Sequence, residues 1–408
     1  MWISGVIVCR TTHSACWARE RLRGVAVRTI GRRIGTVITG AALVISASAA
    51  CSSSGSSADR GTTPQENIDN ARARVAQLEQ PPTVDYDPGP LPGNPAGKRI
   101  VVVLPTTAKG SANDALFRHA AEQLGIEVEI RNVDTTSEKI TDTFDEIARD
   151  PNLDGLYVNS RDPSLWQAQF DQIAGRGVPI VLGAITDDPA WTSRSVNVMS
   201  SSRVVKQITE DAADWMVADS NGTGSSVVFT IPVQRTLSAI GDTYRARLND
   251  TCPGCGVEVV DVKGFSSIGK DLPGTVVSYL QSHPDVKYVF LAFGDMVTGV
   301  PDALRAAGLS DVKLSTQSAG ASNIQYLNQG TEAADLAYTH PYMAYVAIDA
   351  LARGMLGGSM QTADEWLMPT QLLTPANVGS ANVNQEGTIV LPELDEHFAR
   401  IWGKGTPQ

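Results

Sequence analysis

The fold that this sequence predicts is α/β: two doubly wound parallel-sheet lobes joined by crossover hinge segments. Three observations predict it. From residue 100 onward, short apolar runs alternate with amphipathic helical stretches, the pattern of parallel strands linked by crossover helices. The alternation starts again near residue 226, giving two successive sets of β-α units of roughly 125 residues each, within ordinary domain size. The chain has 408 residues with 42% hydrophobic, 19% charged and 6% aromatic, a globular balance that excludes disordered, collagenous and multi-spanning membrane proteins.

In the first set the strands are IVVVLP (100–105), VEIRNV (128–133), GLYVN (155–159) and PIVLGA (179–184), with helices at 113–124, 137–149 and 163–175. VNVM (196–199) then leads into a long helix at 202–219. The second set has strands SVVFTI (226–231), VEVVDV (257–262), YVFLAF (288–293) and VKLST (312–316), and helices at 236–248, 273–282 and 297–307. DLAYTH (335–340) precedes the last long helix, 341–356. Neither set contains G-x-G-x-x-G or G-x-x-x-x-G-K-[ST], so nucleotide-phosphate cradling lacks its signature. Ahead of the lobes, Ile68, Ala71, Val75 and Leu78 share one face of a helical stretch (66–80). A Pro/Gly-rich lead-in follows, and the folded body is expected to start near Lys98. The expected divisions are 1–50 as signal, 51–97 as tether and lead-in, 98–201 as the first lobe and 202–316 as the second. Residues 317–340 are expected to return between lobes, and 341–408 to complete them.

The formal net charge of −11 is unevenly spread. The first fifty residues hold seven of the 33 Lys/Arg and one of the 44 Asp/Glu, leaving 26 bases against 43 acids, a net of −17. So acidic a body repels phosphate backbones and excludes nucleic acid as a partner. After Arg32-Arg33 comes an uncharged run (34–50), then Cys51 and a Ser-rich stretch. A basic flank, a short apolar core and small residues before a cut are the parts of a secretory signal. A plain signal peptide or uncleaved anchor is the other reading. Val25 or Val27 is an alternative start. Of five cysteines, Cys9 and Cys16 lie in the head, Cys51 at the cut, and Cys252 and Cys255 in the body. Export leaves that last pair for a disulfide. Its C-P-G-C spacing also fits a redox centre, but it falls at a helix-to-strand turn where no helix N-terminus lowers a thiol pKa. It is read as a local structural clip.

The SASAAC stretch resembles a bacterial lipobox, which implies a diacylglycerol on Cys51. Together with the Ser-rich tether, the "PPT…DPGP…GK" lead-in and two β-α lobes, it resembles actinobacterial sugar-type ABC-transporter substrate-binding lipoproteins. These belong to the type I periplasmic-binding superfamily. The telling segments are LDGLYVNSRDPSLWQAQFDQIAGRGVPIVLG (153–183) and VKYVFLAFGDMVTGVPDALRAAGL (286–309). The resemblance implies an extracytoplasmic, membrane-anchored monomer. Such a protein binds a small sugar-like ligand, hands it to an ABC permease, and uses no cofactor or metal.

Ligands of open parallel sheets bind beyond the carboxyl ends of the strands, so the strand-end loops nominate the pocket. From the first lobe these are Thr107 and Lys109, then Asn159, Arg161 and Asp162, then Thr186. From the second they are Gln234, Arg235, Phe265, Phe293, Asp295 and Gln317, with His340 at the last crossover. Planar polar groups offer paired hydrogen bonds to hydroxyls, and Phe265 and Phe293 offer faces for apolar C–H patches. Asp295 is read either as a ligand contact or as the cap of a helix starting at Met296. Arg161 and Asp162 are also read as a surface pair. Ribose-type relatives carry an Asp-Arg pair where this chain has Gly183-Ala184, an Arg near Ser238 and an Asp near Gln317. Losing that charged clamp implies a more neutral ligand.

A sensory receptor would share these features. An exported hydrolase has little support. His119, His283, His340 and His397 are scattered, no G-x-S-x-G or H-E-x-x-H occurs, and zinc spacing is absent. No catalytic residue is assigned.

Overall fold

The computed structural model describes residues 60–106, 108–133, 137–188, 191, 196–199, 202–360 and 367–404. The expected signal, with Cys51, lies outside them, as does Thr107. After helix α1 (Gln65–Leu78), the first lobe is built from β1 (Arg99–Pro105), α2 (Ala108–Leu124), β2 (Glu127–Val133), α3 (Ser137–Arg149), β3 (Gly155–Asn159), α4 (Gln167–Gly175), β4 (Ile180–Gly183) and β5 (Val196–Met199). The second lobe runs α5 (Ser202–Asp219), β6 (Ser225–Thr230), α6 (Arg235–Thr251), β7 (Gly256–Asp261), α7 (Asp271–Ser282), β8 (Tyr288–Leu291), α8 (Val300–Ala306), β9 (Lys313–Gln317), α9 (Ala321–Asn328) and β10 (Ala334–Tyr338). Then come α10 (His340–Met355), β11 (Thr370–Leu373) and α11 (Leu394–Ile401).

The two sheets have the same plan. The first is ordered β2-β1-β3-β4-β5, all parallel, and the second reads β7-β6-β8-β9-β10 in the same order, with β11 added antiparallel at the far edge. Each is the doubly wound order whose strand sequence reverses once, between β1 and β3 and between β6 and β8. Helices on both faces force the central strands to be apolar on both sides. Ile100 to Leu104 and Val227 to Phe229 are accordingly buried without alternation. α3 shows the complementary helical period, burying Ile140, Phe144, Ile147 and Ala148 against the sheet.

Two expectations are corrected. Residues 317–338 do not return between lobes: α9 and β10 complete the second sheet, β10 pairing parallel with β9. The turn at 318–320 after β9 stays within the lobe, because the strand that follows finds its partner in the same sheet. Within the run of β-α units the chain crosses between β5 and α5, between β10 and α10, and between α10 and β11; it also crosses ahead of β1 and again after β11. α10 packs on α2, β3 and β4 of the first lobe.

The packed chain also starts well before Lys98. Thr63 is buried, its hydroxyl donating to the Gly222 carbonyl at 2.6 Å and accepting from the Gly254 amide at 3.1 Å. α1 lies on α5, where Arg74 grips Asp211 with two hydrogen bonds of 2.7 and 2.8 Å. The Pro-rich segment then crosses to the first lobe. There Tyr86, fully buried, stacks on Phe398 at 5.6 Å and donates to Asp349 at 2.5 Å. Proline removes a backbone donor and fixes φ, which holds the segment extended, and an extended stretch still packs where its few large side chains find pockets. Cys252 and Cys255 are bonded, with Cα atoms 5.3 Å apart, at the turn from α6 into β7 and directly against Thr63.

Candidate binding cleft

The carboxyl ends of the strands at the two reversal points carry most of the nominated residues. At the end of β3, the amide of Asn159 donates to the Tyr157 hydroxyl at 3.0 Å while its oxygen accepts from Ser160 at 2.6 Å. Burial, with no compensating positive charge, pushes the Tyr157 phenol up and keeps it neutral. Arg161 is buried and does not pair with its neighbour. Its guanidinium donates to the carbonyls of Ser160 (2.9 Å) and Val133 (2.7 Å), tying the ends of β2 and β3 together. Asp162 caps the 3-10 turn Pro163–Leu165 by accepting from the Ser164 amide and hydroxyl at 3.0 and 2.7 Å. Its other oxygen receives Arg235 of the second lobe at 3.1 Å.

Past β4, Gly183 faces Tyr157 so closely that a Cβ there would sit 2.2 Å from the phenol oxygen. That steric fact leaves no room at 183 for the first member of a charged pair. Thr186 has a buried hydroxyl with no hydrogen-bond partner among the described residues. Lys109 falls in the first turn of α2, which starts at Ala108 and not at Asn113, so it belongs to a helix start and not to a loop.

From the second lobe, Gln234 is the N-cap residue of α6 without a side-chain cap bond, and Arg235 is the first helical residue. Phe265, partly exposed, and Phe293 have ring centroids 5.9 Å apart at 59°. Asp295 lies within a 3-10 turn, Gly294–Val297, whose N-cap is Phe293. The capping reading of Asp295 therefore fails, because the turn begins ahead of it. Gln317 donates to the Ala292 carbonyl at 2.7 Å, joining the ends of β8 and β9. His340 opens α10 edge-on to Tyr338 at 5.3 Å, its amide donating to Thr388 at 2.9 Å. Burial and the Asp335 and Asp295 carboxylates raise the Tyr338 phenol.

Backbone strain gathers in the same loops. Of the four described non-glycine residues with positive φ, three follow strand ends: Ser160 (56°), Ala184 (53°) and Ser318 (65°). Such conformations cost on the order of 1 kcal/mol or more each, and they mark sites where geometry matters more than stability. Of the nominated residues, Asn159, Asp162, Gln234, Arg235, Phe293 and Asp295 stand at or just past the strands of the reversal points, and Thr186, Phe265 and Gln317 at or past the strands beside them. Lys109 lies in the first turn of α2, Arg161 is tied up in its own lobe, His340 belongs to a crossing, and Thr107 lies outside the described residues. Reasoning from the sequence missed Tyr157, Trp191 and Thr236. Tyr157 carried a usable signal, since a phenol in a wholly buried strand requires a partner.

Among the described residues no group of three His, Cys, Asp or Glu side chains gathers as a metal site. A depression of about 620 Å³ between α1, α5 and the start of β9 lies at the opposite end of the second sheet, where Lys313 pairs with Asp219, remote from these loops.

The fold is shared with solved structures. An ABC sugar transporter subunit from Rhodobacter sphaeroides superposes with a TM-score of 0.59 at 17% identity, covering 69% of this chain and 100% of its own. A 5-methylthioribose transporter solute-binding protein from Thermotoga lettingae, in complex with 5-methylthioribose, gives 0.60 at 15% identity, covering 76% and 99%. An ABC transporter periplasmic solute-binding protein from Actinobacillus succinogenes with bound D-allose gives 0.58 at 13%, covering 69% and 99%. No curated protein matches the chain in sequence. The family model described as periplasmic binding protein domain matches residues 100–359, well over half the chain, and on that span the chain belongs to the periplasmic binding protein family.

Proposed function

We propose that this protein is the extracytoplasmic solute-binding component of an ABC importer, capturing a small neutral sugar or sugar-like solute between its lobes without turnover. The observation that carries this reading is the meeting of the two reversal points, with Asp162 of the first lobe 3.1 Å from Arg235 of the second. Loops brought together this way enclose a ligand on closure. The polar groups they offer suit hydroxyls: the amides of Asn159 and Gln317, with the Phe265–Phe293 pair for a C–H face. Arg161 is held by carbonyls and Asp162 by Arg235, and the pair at the end of β4 is Gly183-Ala184 and carries no charge; both favour an uncharged solute.

The family membership and the sugar-binding neighbours support the importer reading, with a membrane permease as partner. The basic head and Cys51 support export and anchoring to the outer face of the membrane by a lipid on that cysteine. We take the protein as a monomer.

The test is a thermal-shift screen of neutral pentoses, hexoses, polyols and 5-methylthioribose. A solute at about a hundred times its Kd adds roughly 2.7 kcal/mol, which for a chain of this size is a rise in Tm of about 3–4 °C. A true cleft ligand loses affinity on Phe293→Ala and Gln317→Ala. Absence of any hit across the panel, or conversion of a bound solute into product, overturns the proposal.

A further inference from the structure

The reversal-point loops of the two lobes are bonded directly to each other. Arg235, the first residue of α6, donates to Asp162 at 3.1 Å, lies 3.9 Å from Asp188 Oδ2, and sits over the Trp191 ring at 5.9 Å. The next residue, Thr236, donates its hydroxyl to the Ala184 carbonyl at 3.1 Å. Both donors belong to the second lobe and all four partners to the first. Two observations set this apart from a chance surface pair. Asp162 is already oriented by its cap on the Ser164 amide and hydroxyl, so little side-chain freedom is lost when Arg235 arrives. Ala184 holds a left-handed conformation with φ 53° at the one carbonyl that Thr236 reaches.

We propose that Arg235 and Thr236 form a ligand-independent latch that holds the lobes closed, and that they tune affinity through the closed population and not by touching the ligand. The latch has two parts with different physics. The Arg235 contact is an ion pair with a stacking face, partly open to water and therefore weakened by salt. The Thr236 contact is a neutral hydrogen bond on a buried residue, insensitive to salt. If a solute binds only the closed form, its apparent Kd equals the intrinsic value divided by the closed fraction. Weakening the latch then loosens every ligand by one common factor, whatever its chemistry.

The experiment needs no ligand, so its failure is separate from failure of the importer reading. The full chain carries spin labels on non-cysteine, click-reactive residues replacing exposed Asp142 of α3 and Asp242 of α6, which leaves the Cys252–Cys255 bond intact. Pulsed dipolar spectroscopy then reads the interlobe distance distribution. The wild type is expected to show a substantial short-distance population. Arg235→Gln, or Asp162→Asn with its cap oxygen kept, lowers the closed-to-open ratio roughly two- to fivefold. Adding Thr236→Val to Arg235→Gln takes the loss to about tenfold. Raising NaCl from about 0.05 to 0.5 M opens the wild type but not Arg235→Gln. Identical distributions in wild type and all three variants overturn the latch, as does a wild type that is wholly open without ligand. So does a double variant, Arg235→Gln with Asp162→Asn, whose effects simply add.

Discussion

Ala184 and Ser318 occupy the same place in the two lobes: each is the first residue after the fourth strand of its sheet, and each has positive φ, 53° and 65°. Space is tight beside both: a Cβ on Gly183 would meet the Tyr157 hydroxyl at 2.2 Å and its Cζ at 2.9 Å, and one on Gly294 would meet the Ser318 carbonyl oxygen at 2.5 Å. Tyr157 is thus a wedge that fixes how the loop after β4 leaves the sheet. Gly183→Ala forces the phenol or the strand to move, and overpacking of this kind costs roughly 1–3 kcal/mol. Urea unfolding is expected to show that loss, and Tyr157→Phe in the same chain to recover part of it. A Gly183→Ala protein as stable as wild type would refute the wedge. At this scale the sequence was only half legible. Residue types nominated Asn159, Asp162, Arg235 and Gln317 for the pocket, and the structure places them at or just past strand ends. Nothing periodic in the chain announces that Asp162 pairs with a residue 73 positions away, or that Arg161 turns inward to carbonyls.

Among the elements, α5 is unusual in burying two carboxylates, Asp211 and Asp214, each at 4% exposure. Each is held by a two-pronged arginine from a flanking helix: Arg74 of α1, and Arg247 of α6 at 2.9 and 2.8 Å. Desolvation still raises Asp211, because Arg74 only partly offsets it and Asp214 lies nearby. A carboxyl raised in the folded state binds its proton more tightly there than in the unfolded chain. Its contribution therefore falls as pH climbs from the unfolded value, about 4, through the raised folded one. Wild-type stability relative to Asp211→Asn should accordingly decline over that window, read by urea midpoints between pH 3.5 and 7; a flat or rising difference would contradict the assignment. Arg74→Ala removes the clamp from the outside, and hydrogen exchange across α1 should accelerate at least tenfold while α3 and its sheet stay protected. The repeated β-α units were legible because the alternation itself carries even short members, such as β4 and β8 of four residues each and α8 of seven. β11, four residues long, and α9 and α11, eight residues each, were not. α9 buries only Asn323 and Leu327, so no apolar stripe marks it, and β11 and α11 follow the last β-α unit, their place set by partners far away in the chain.

For the molecule as a whole, the family match spans residues 100–359, yet packed chain lies on both sides of it. The preceding segment runs from Thr63 on the second lobe to Tyr86 on the first, and the following one returns to the first lobe as α11. The two meet on a single buried carboxylate. Asp349 of α10, with no exposed surface, accepts from the Tyr86 hydroxyl at 2.5 Å, the Trp402 indole at 2.9 Å and Arg353 at 2.8 Å. Arg353 in turn donates to the carbonyls of Gly89 and Pro90 at 2.6 and 3.2 Å. The flanking segments are therefore clasped to the first lobe through one charged hub, while Thr63 and α1 clasp the second. A belt attached at both ends limits how far the lobes can part, which complements the latch on the cleft side. Removing the hub charge leaves Arg353 buried without its partner, a loss of about 3–5 kcal/mol. Tyr86→Phe forfeits only one hydrogen bond, on the order of 1–3 kcal/mol with the acceptor left charged. Asp349→Ala is thus expected to melt well below wild type and Tyr86→Phe much closer to it. Limited trypsin digestion of Asp349→Ala should cut first at Lys98 and Lys404, on the two sides of the family span, before any site within the sheets. If cleavage instead begins inside the sheets, or spares both flanks, the hub does not join them, and the lobes are restrained by their crossings alone.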